Sequence, residues 1–253
     1  MILAIIHKMF LKAFANIFNV LNTVKNFSKN RVVRANMDVY DLTLKHPFSC
    51  IVSGCSGSGK TTWVHKLLLN RGDMIDREID KVYMFYSEEQ PNLFQKMRSD
   101  GVVHEFILGI PTMDFVRDIT ATNMNILIII DDNMKNVDED MSELFTTFRH
   151  RNASLLFLTQ NLFQQNRDYR TMSLNANYIT IMKNPRDSSQ IMSFAKQFSP
   201  GNTRFVVDAF RNATTNKAHS YVLFDLRQET PDNVRMRTNI FPDEAPMSAY
   251  ARL

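Results

Sequence analysis

The chain has 253 residues, of which 44% are hydrophobic and 22% charged, with 7 Gly and 8 Pro. This composition is typical of a globular chain with a sizeable core, and it excludes a collagen-like, low-complexity or disordered protein. Its only cysteines, Cys50 and Cys55, exclude a disulfide-stapled secreted scaffold and a multi-cysteine zinc site, and they indicate thiols in a reducing compartment.

The excess of positive charge is confined to the start of the chain. Six of the 30 Lys and Arg residues, and none of the 26 acidic residues, fall within residues 1–37, so the remainder carries 24 cations and 26 anions. The net charge of +4 is therefore poor evidence that the body of the protein binds nucleic acid.

The first 27 residues place apolar side chains at helical spacing, with lysines and asparagines between them, which predicts a basic amphipathic arm over residues 1–37. The segment is too broken to span a bilayer. It would lie on a membrane or an acidic partner, or form a packing extension or a poorly ordered tail. A further alternative is that Met37 is the natural start, with the main domain covering residues 38–253.

From residue 38 onward, predicted strands alternate with predicted helices. The strands are expected at 48–53, 82–86, 102–108 (an edge strand), 125–130, 154–159, 178–182 and 221–226, and the helices at 60–70, 92–98, 113–119, 141–150 and 187–198. The unbroken run from Ile126 to Ile130 is typical of a parallel strand covered on both faces. The pattern predicts an α/β fold with a doubly wound, mostly parallel sheet, ending at 221–226 and followed by an irregular polar tail.

A phosphate-binding motif joins the first predicted strand to the first predicted helix. Residues 54–61 match G-x-x-x-x-G-K-[ST] at every fixed position: Gly54, Cys55, Ser56, Gly57, Ser58, Gly59, Lys60 and Thr61. The glycines allow successive backbone N–H groups to point at phosphate oxygens, and the helix start, including Thr62, adds its positive dipole end. Lys60 is expected to reach the β- and γ-phosphates, and the Thr61 hydroxyl to ligate Mg²⁺.

Two carboxylates follow the most apolar strand, as in a Walker B motif. Asp131 would hold Mg²⁺ through its water shell, and Asp132 would polarise the attacking water as general base. In P-loop ATPases of the additional-strand type, the next strand lies between the P-loop and Walker B strands. Gln160, at the end of that strand, would then sense the γ-phosphate or orient water. Since no Asn-Lys-x-Asp guanine-reading motif is present, an ATPase is favoured over a GTPase.

The combination of motifs resembles the poxvirus-type DNA-packaging ATPases of the FtsK–HerA superfamily, in the branch found in polinton-like and adintovirus-type elements. The resemblance covers roughly residues 45–245 and is carried by the P-loop and by the segments at 129–132, 148–150, 157–161, 183–187 and 237–242. It implies a RecA-like core that forms a pentameric or hexameric homo-oligomeric ring and uses ATP and Mg²⁺ to pump double-stranded DNA into a preformed capsid.

The resemblance also implies an arginine finger that reaches the γ-phosphate bound by the neighbouring subunit. Arg149 lies at the family's offset from Gln160, and Arg151 is the reserve candidate. The family further implies a viral protein that acts inside the infected host cell, at the portal vertex of the capsid or associated with the virion. Many relatives have Glu where this chain has Asp132.

The DNA-contacting residues have no motif. The polar stretch from Gln160 to Asn177, with Arg167, Tyr169 and Arg170, would either line a pore and touch phosphates or form a plain surface loop. Two other functions remain as alternatives to the motor. One is a nucleotide-binding assembly or scaffold protein, and the other is a small-molecule kinase, which is disfavoured because no clear lid is found.

Overall fold

The computed structural model describes residues 40–131, 145, 147–163, 167–215 and 217–252. The predicted arm over residues 1–37, the predicted general base Asp132 and most of the predicted helix at 141–150 lie outside these residues. At the end of that helix, Phe148–Arg151 forms a 3-10 turn.

Within the described residues, one mixed sheet forms the centre of the fold. Its strands are β1 (Ser49–Ser53), β2 (Lys81–Tyr86), β3 (Glu105–Leu108), β4 (Ile126–Asp131), β5 (Ala153–Thr159), β6 (Tyr178–Met182), β7 (Tyr221–Asp225), β8 (Met236–Thr238) and β9 (Ser248–Tyr250). Their spatial order is β3-β2-β4-β5-β1-β6-β7-β8-β9. The pairs from β3 to β6 are parallel, and β7, β8 and β9 are added antiparallel.

Helices connect the strands and cover the sheet. Those in the described part of the chain are α1 (Lys60–Leu69), α2 (Arg71–Met74), α3 (Pro91–Ser99), α4 (Met113–Thr120), α5 (Arg167–Asn175), α6 (Ser189–Phe198) and α7 (Thr203–Thr214). No helix in this part of the chain is long and apolar enough to cross a membrane.

The core has two layers, one on each face of the sheet. Alternate residues of β4 belong to different layers: Ile128 packs with Leu155 and Phe157 on one face, and Ile129 packs with Leu156 and Leu158 on the other. All six residues of β4 are buried. The prediction from the continuous apolar run is therefore confirmed: β4 is a parallel strand with both faces covered.

Several predicted elements need correction. The sheet does not end at β7, because β8 and β9 extend it through the segment that was predicted to be an irregular tail. The predicted strand at 102–108 begins only at Glu105, although it does lie at the edge of the sheet. The helix predicted from Asp187 begins at Ser189, since the Asp187 carboxylate accepts a bond from the Ser189 N–H at 2.8 Å before the helix starts. Helix α7 was not predicted.

Candidate nucleotide-binding site

A cavity of about 760 Å³ opens at the carboxyl ends of the parallel strands, beside the loop that joins β1 to α1. This is the edge at which open α/β sheets bind their ligands. Six of the predicted phosphate-binding residues line it: Ser56, Gly57, Gly59, Lys60, Thr61 and Thr62. Gly54, Cys55 and Ser58 belong to the same loop but do not line the cavity. The volume lies within the range of pockets for small molecules and cofactors.

The loop has the backbone that a phosphate cradle requires. The N–H of Ser58 donates to the carbonyl of Cys55 at 3.1 Å, which closes a tight turn. Gly59 then adopts a φ of 98°, in the left-handed region that favours glycine, and α1 begins at the next residue. The first N–H groups of a helix have no partner within it, and the first three residues of α1, Lys60 to Thr62, line the cavity, so this end of the helix suits an anion.

Gly54 is required for packing rather than for its backbone angle. A Cβ atom at this position would lie 2.6 Å from Cβ of Met182, which is closer than real contacts allow. The N–H of Gly54 also donates to the carbonyl of Thr159 at 3.0 Å. Thus β5 and β6 hold the start of the loop from both sides.

Lys60 is folded back into the loop. Its ammonium group donates to the carbonyl of Gly54 at 2.8 Å, and only 7% of the residue is exposed. This contact with the Gly54 carbonyl keeps the positive charge at the phosphate loop, within the cavity that a polyphosphate would enter.

Thr61 and Asp131 form the part of the cavity that fits Mg²⁺. The Thr61 hydroxyl donates to the Asp131 carboxylate at 3.3 Å, and both residues are buried. A hydroxyl and a single carboxylate are hard oxygen ligands, and Mg²⁺ typically takes one or two carboxylates and completes its shell with water and substrate phosphates. No cluster of three or more His, Cys, Asp or Glu residues suited to a metal occurs among the described residues.

Gln90 is a residue of this site that the sequence analysis missed. Its amide nitrogen lies 3.1 Å from Asp131 Oδ2 and 3.2 Å from Thr61 Oγ1. It follows β2, the neighbour of β4 in the sheet, on the segment Ser87–Gln90 that forms one wall of the cavity. No motif marks this segment, and only the strand order reveals that it faces Asp131.

The predicted place of β5 is confirmed. β5 pairs with β1 on one side and with β4 on the other, both in parallel. Gln160 therefore follows a strand that lies between the phosphate loop and Asp131. Its side chain is exposed, and it is not among the residues that line the cavity.

The remaining predicted site residues are the two candidate arginine fingers and the stretch predicted to contact DNA, and the structure describes them only in part. Arg149 and Arg151 lie in the 3-10 turn that leads into the amino end of β5, and the side chain of Arg149 is outside the described residues. The stretch predicted to contact DNA contains helix α5. Tyr169 is 1% exposed and packs on Phe157, so it cannot reach DNA phosphates, whereas Arg167 and Arg170 are exposed.

The wall of the cavity on the side of β6 and β7 consists of residues that no motif marks. The loop before β7 contacts the phosphate loop through His219, whose Nδ1 lies 3.1 Å from the carbonyl oxygen of Ser58. Deeper in this wall, the hydroxyl of Tyr221 donates to the nearly buried carboxylate of Glu244 at 2.6 Å. Burial, together with the negative charge of Glu244, raises the pKa of Tyr221, so this hydroxyl remains protonated.

Comparison with known proteins identifies the family. A family profile described as "Poxvirus A32 protein" matches residues 36–225, about three quarters of the chain. The chain belongs to the Poxvirus A32 protein family. The family match covers the phosphate loop, Asp131 and Gln160, and it shows an ATPase of viral genome packaging with a P-loop core. No curated protein matches the sequence significantly.

Solved structures similar to this member of the A32 family include two of the genome packaging NTPase B204 from Sulfolobus turreted icosahedral virus 2. The B204 complex with ATP-gammaS has a TM-score of 0.50 and 12% identity, over 82% of this chain and 98% of that one. The complex with AMPPCP has a TM-score of 0.48 and 12% identity, over 81% and 98%. The KaiC-like protein PH0186 from Pyrococcus horikoshii OT3 has a TM-score of 0.42 and 14% identity, over 81% and 90%. The first likeness supports the RecA-like fold.

Proposed function

We propose that this protein is an ATP-hydrolysing motor that translocates double-stranded DNA into a viral capsid. The observation that carries the proposal is the convergence of the phosphate loop, Thr61 and Asp131 on one cavity, in a chain of the A32 family. Nucleotide chemistry at this cavity supplies the energy, and the packaging role comes from the family. The family also supports DNA and capsid components as partners, and action within the infected cell.

The residues divide the work on ATP as follows. Backbone N–H groups of the loop and the Lys60 ammonium hold the phosphates, and Thr61 and Asp131 would hold Mg²⁺, which would supply positive charge to offset that of the phosphates. Asp132, next to Asp131 in the chain, accepts a proton from the attacking water. Gln160, after the strand between β1 and β4, senses the γ-phosphate.

Hydrolysis is proposed to need a neighbouring subunit. Arg149 precedes β5, whereas the cavity lies beyond its carboxyl end, and the 7 residues of β5 span roughly 20 Å at about 3.3 Å per residue. An arginine side chain cannot cover that distance within its own subunit. Arg149 is therefore assigned to the γ-phosphate of the adjacent subunit in a pentameric or hexameric ring.

The test is the ATPase rate of the full chain with and without linear duplex DNA, measured together with the assembly state. We expect hydrolysis by an assembled ring and stimulation by DNA. Lys60→Ala should abolish nucleotide binding, whereas Asp132→Asn should bind ATP without turning it over. A monomer whose ATPase ignores DNA would contradict the motor and favour a nucleotide-dependent assembly protein.

A further inference from the structure

Gln90 lies where the Mg²⁺ site predicted from Thr61 and Asp131 would bind its ion. The amide nitrogen of Gln90 is within 3.2 Å of both the Asp131 carboxylate and the Thr61 hydroxyl, and those two groups lie 3.3 Å from each other. An ionised carboxylate only accepts hydrogen bonds, so the amide must present its NH₂ group here rather than its oxygen. A weakly positive donor thus lies within 3.2 Å of both oxygens that suit a cation.

The backbone of Gln90 is fixed, while its side chain is exposed. Its carbonyl accepts the first hydrogen bond of helix α3, from the N–H of Phe94 at 2.9 Å. Phe94 is fully buried and packs against the rings of Tyr86 and Phe106, which anchors this turn. The side chain of Gln90 makes no capping bond to the helix. The amide can therefore leave Asp131 by rotating its side chain, without moving the helix.

We propose that Gln90 is a positioning residue that substitutes for the cation in the metal-free site and competes with Mg²⁺ for Thr61 and Asp131. In the absence of metal, its NH₂ group donates to the buried carboxylate and to the Thr61 hydroxyl, and so helps to hold the two oxygens in place. Binding of the ion requires these bonds to break, because a donor and a cation cannot occupy the same position. The inference rests on the proposed nucleotide function of this cavity.

The competition fixes the direction of the effect of each substitution. Removing the amide in Gln90→Ala should destabilise the metal-free protein and make Mg²⁺ bind more tightly, because the ion no longer displaces a partner. Gln90→Glu keeps the shape of the side chain but replaces the amide donor by a carboxylate, which attracts a cation. The Mg²⁺ concentration needed for nucleotide binding should therefore fall further than in Gln90→Ala. Gln95→Ala, at an exposed position in the same helix, is the matched control.

Two measurements on the full chain test the inference. The first is the Mg²⁺ concentration needed for half-maximal binding of a fluorescent methylanthraniloyl ATP analogue. It should fall about two- to tenfold in Gln90→Ala, as expected for the loss of one or two hydrogen bonds, and stay unchanged in Gln95→Ala. The second is the melting temperature in EDTA, which should fall by about 2–4 °C in Gln90→Ala, with the difference disappearing in Mg²⁺ and nucleotide.

The outcomes separate the inference from the proposed function. An unchanged or increased Mg²⁺ requirement in Gln90→Ala would overturn the inference, and an increase would mean that Gln90 helps to hold the metal. A difference in melting temperature that persists with Mg²⁺ and nucleotide would also overturn it, because the role would then be structural. If the wild-type chain binds no analogue at any Mg²⁺ concentration, the proposed nucleotide function itself fails.

Discussion

Ala218 lies at the opposite end of the cavity from Asp131. It is exposed on the loop before β7, two strands from β1 on one side, whereas Asp131 ends β4, two strands away on the other. A nucleotide whose γ-phosphate lies near Asp131 would therefore direct its nucleoside toward the end of the cavity that holds Ala218. The lining of the cavity also includes the rings of Tyr221 and Phe241, which offer an apolar surface to a nucleoside.

Ala218→Trp is expected to block the nucleoside but not the phosphates. The indole would fill the end of the cavity, so the affinity for ATP should fall at least about tenfold, the cost of losing about 1.4 kcal/mol of binding free energy. Tripolyphosphate, which needs only the cradle, should bind as it does to the wild-type chain. Calorimetric titration with both ligands checks this.

The control for this substitution is Ala121→Trp, at an exposed alanine that follows helix α4 and does not line the cavity. It should bind both ligands normally. If Ala218→Trp lost affinity for ATP and for tripolyphosphate equally, the substitution would have disturbed the phosphate loop and not only the position of the nucleoside.

Residues of this site were predictable where they belong to a motif of fixed spacing. Lys60 and Thr61 follow from the phosphate loop, and Asp131 from the apolar strand that precedes it. Gln90 and Glu244 were not predictable, because each lies on an irregular segment after a strand. Their proximity to the cavity depends on which strands are neighbours, which is a property of the sheet and not of the local sequence.

At the scale of elements, the segment that precedes β1 is joined to β5 through the hydrogen bonds of one histidine, His46. His46 is 4% exposed, with Nδ1 2.6 Å from the Ser154 hydroxyl and Nε2 3.1 Å from the Asn152 carbonyl. The Ser154 oxygen also accepts a bond from the Phe48 N–H at 3.0 Å. These contacts are satisfied together when neutral His46 donates through Nε2 and accepts the Ser154 proton at Nδ1.

Burial lowers the pKa of His46 below its ordinary value of 6.5, although the bond to the Asn152 carbonyl acts in the opposite direction. Between the lowered pKa and 6.5 the unfolded chain binds more protons than the folded one. The contribution of His46 to stability is therefore fully present above pH 6.5 and is lost as the pH falls from there toward the lowered pKa.

The consequence is that the difference in folding stability between the wild-type chain and His46→Gln depends on pH. We expect the wild type to be the more stable at pH 7.5 by about 1–3 kcal/mol, as for the loss of buried hydrogen bonds, and the difference to shrink toward pH 5. Urea denaturation of both chains at each pH across this range measures it. A difference independent of pH would contradict the assignment of a neutral buried ring.

Elements were predictable in proportion to their length and apolar content. β4 and β5 are long and fully buried, and the predicted ends of both lie within one residue of the observed ones. β8 and β9 have 3 residues each, too few to show a pattern. They are held instead by contacts between distant segments, such as the buried Arg237, which donates to Asp225 at 3.0 Å.

At the scale of the whole molecule, the sheet separates the two halves of the proposed catalytic machinery. Lys60 and Asp131 lie at the carboxyl edge of the parallel strands, whereas the turn that carries Arg149 precedes β5 at the amino edge. Under the proposed mechanism, each subunit would therefore carry the phosphate cradle at one edge and the arginine finger at the other. In the proposed ring, heterologous contacts would bring the amino edge of one subunit against the carboxyl edge of the next, and closure of the ring would complete every site.

Mixing two inactive variants tests this arrangement. Lys60→Ala should lack nucleotide binding but retain Arg149, and Arg149→Ala should bind nucleotide but lack the finger for its neighbour. In rings assembled at random from equal amounts, about a quarter of the sites would join an intact cradle to an intact Arg149, so about a quarter of the wild-type ATPase rate should return. The measurement is the ATPase rate against mixing ratio, with the assembly state checked for each mixture.

The same mixing experiment with Arg151→Ala tests which arginine is the finger, because Arg151 lies in the same turn as Arg149. If Arg151→Ala is inactive alone and recovers on mixing, while Arg149→Ala keeps its ATPase activity without mixing, the finger is Arg151. If neither mixture recovers although rings form, hydrolysis does not use an arginine from this turn across the interface. The separation of the two edges of the sheet would then require another residue near the cavity to stabilise the γ-phosphate, and the subunits would hydrolyse ATP independently.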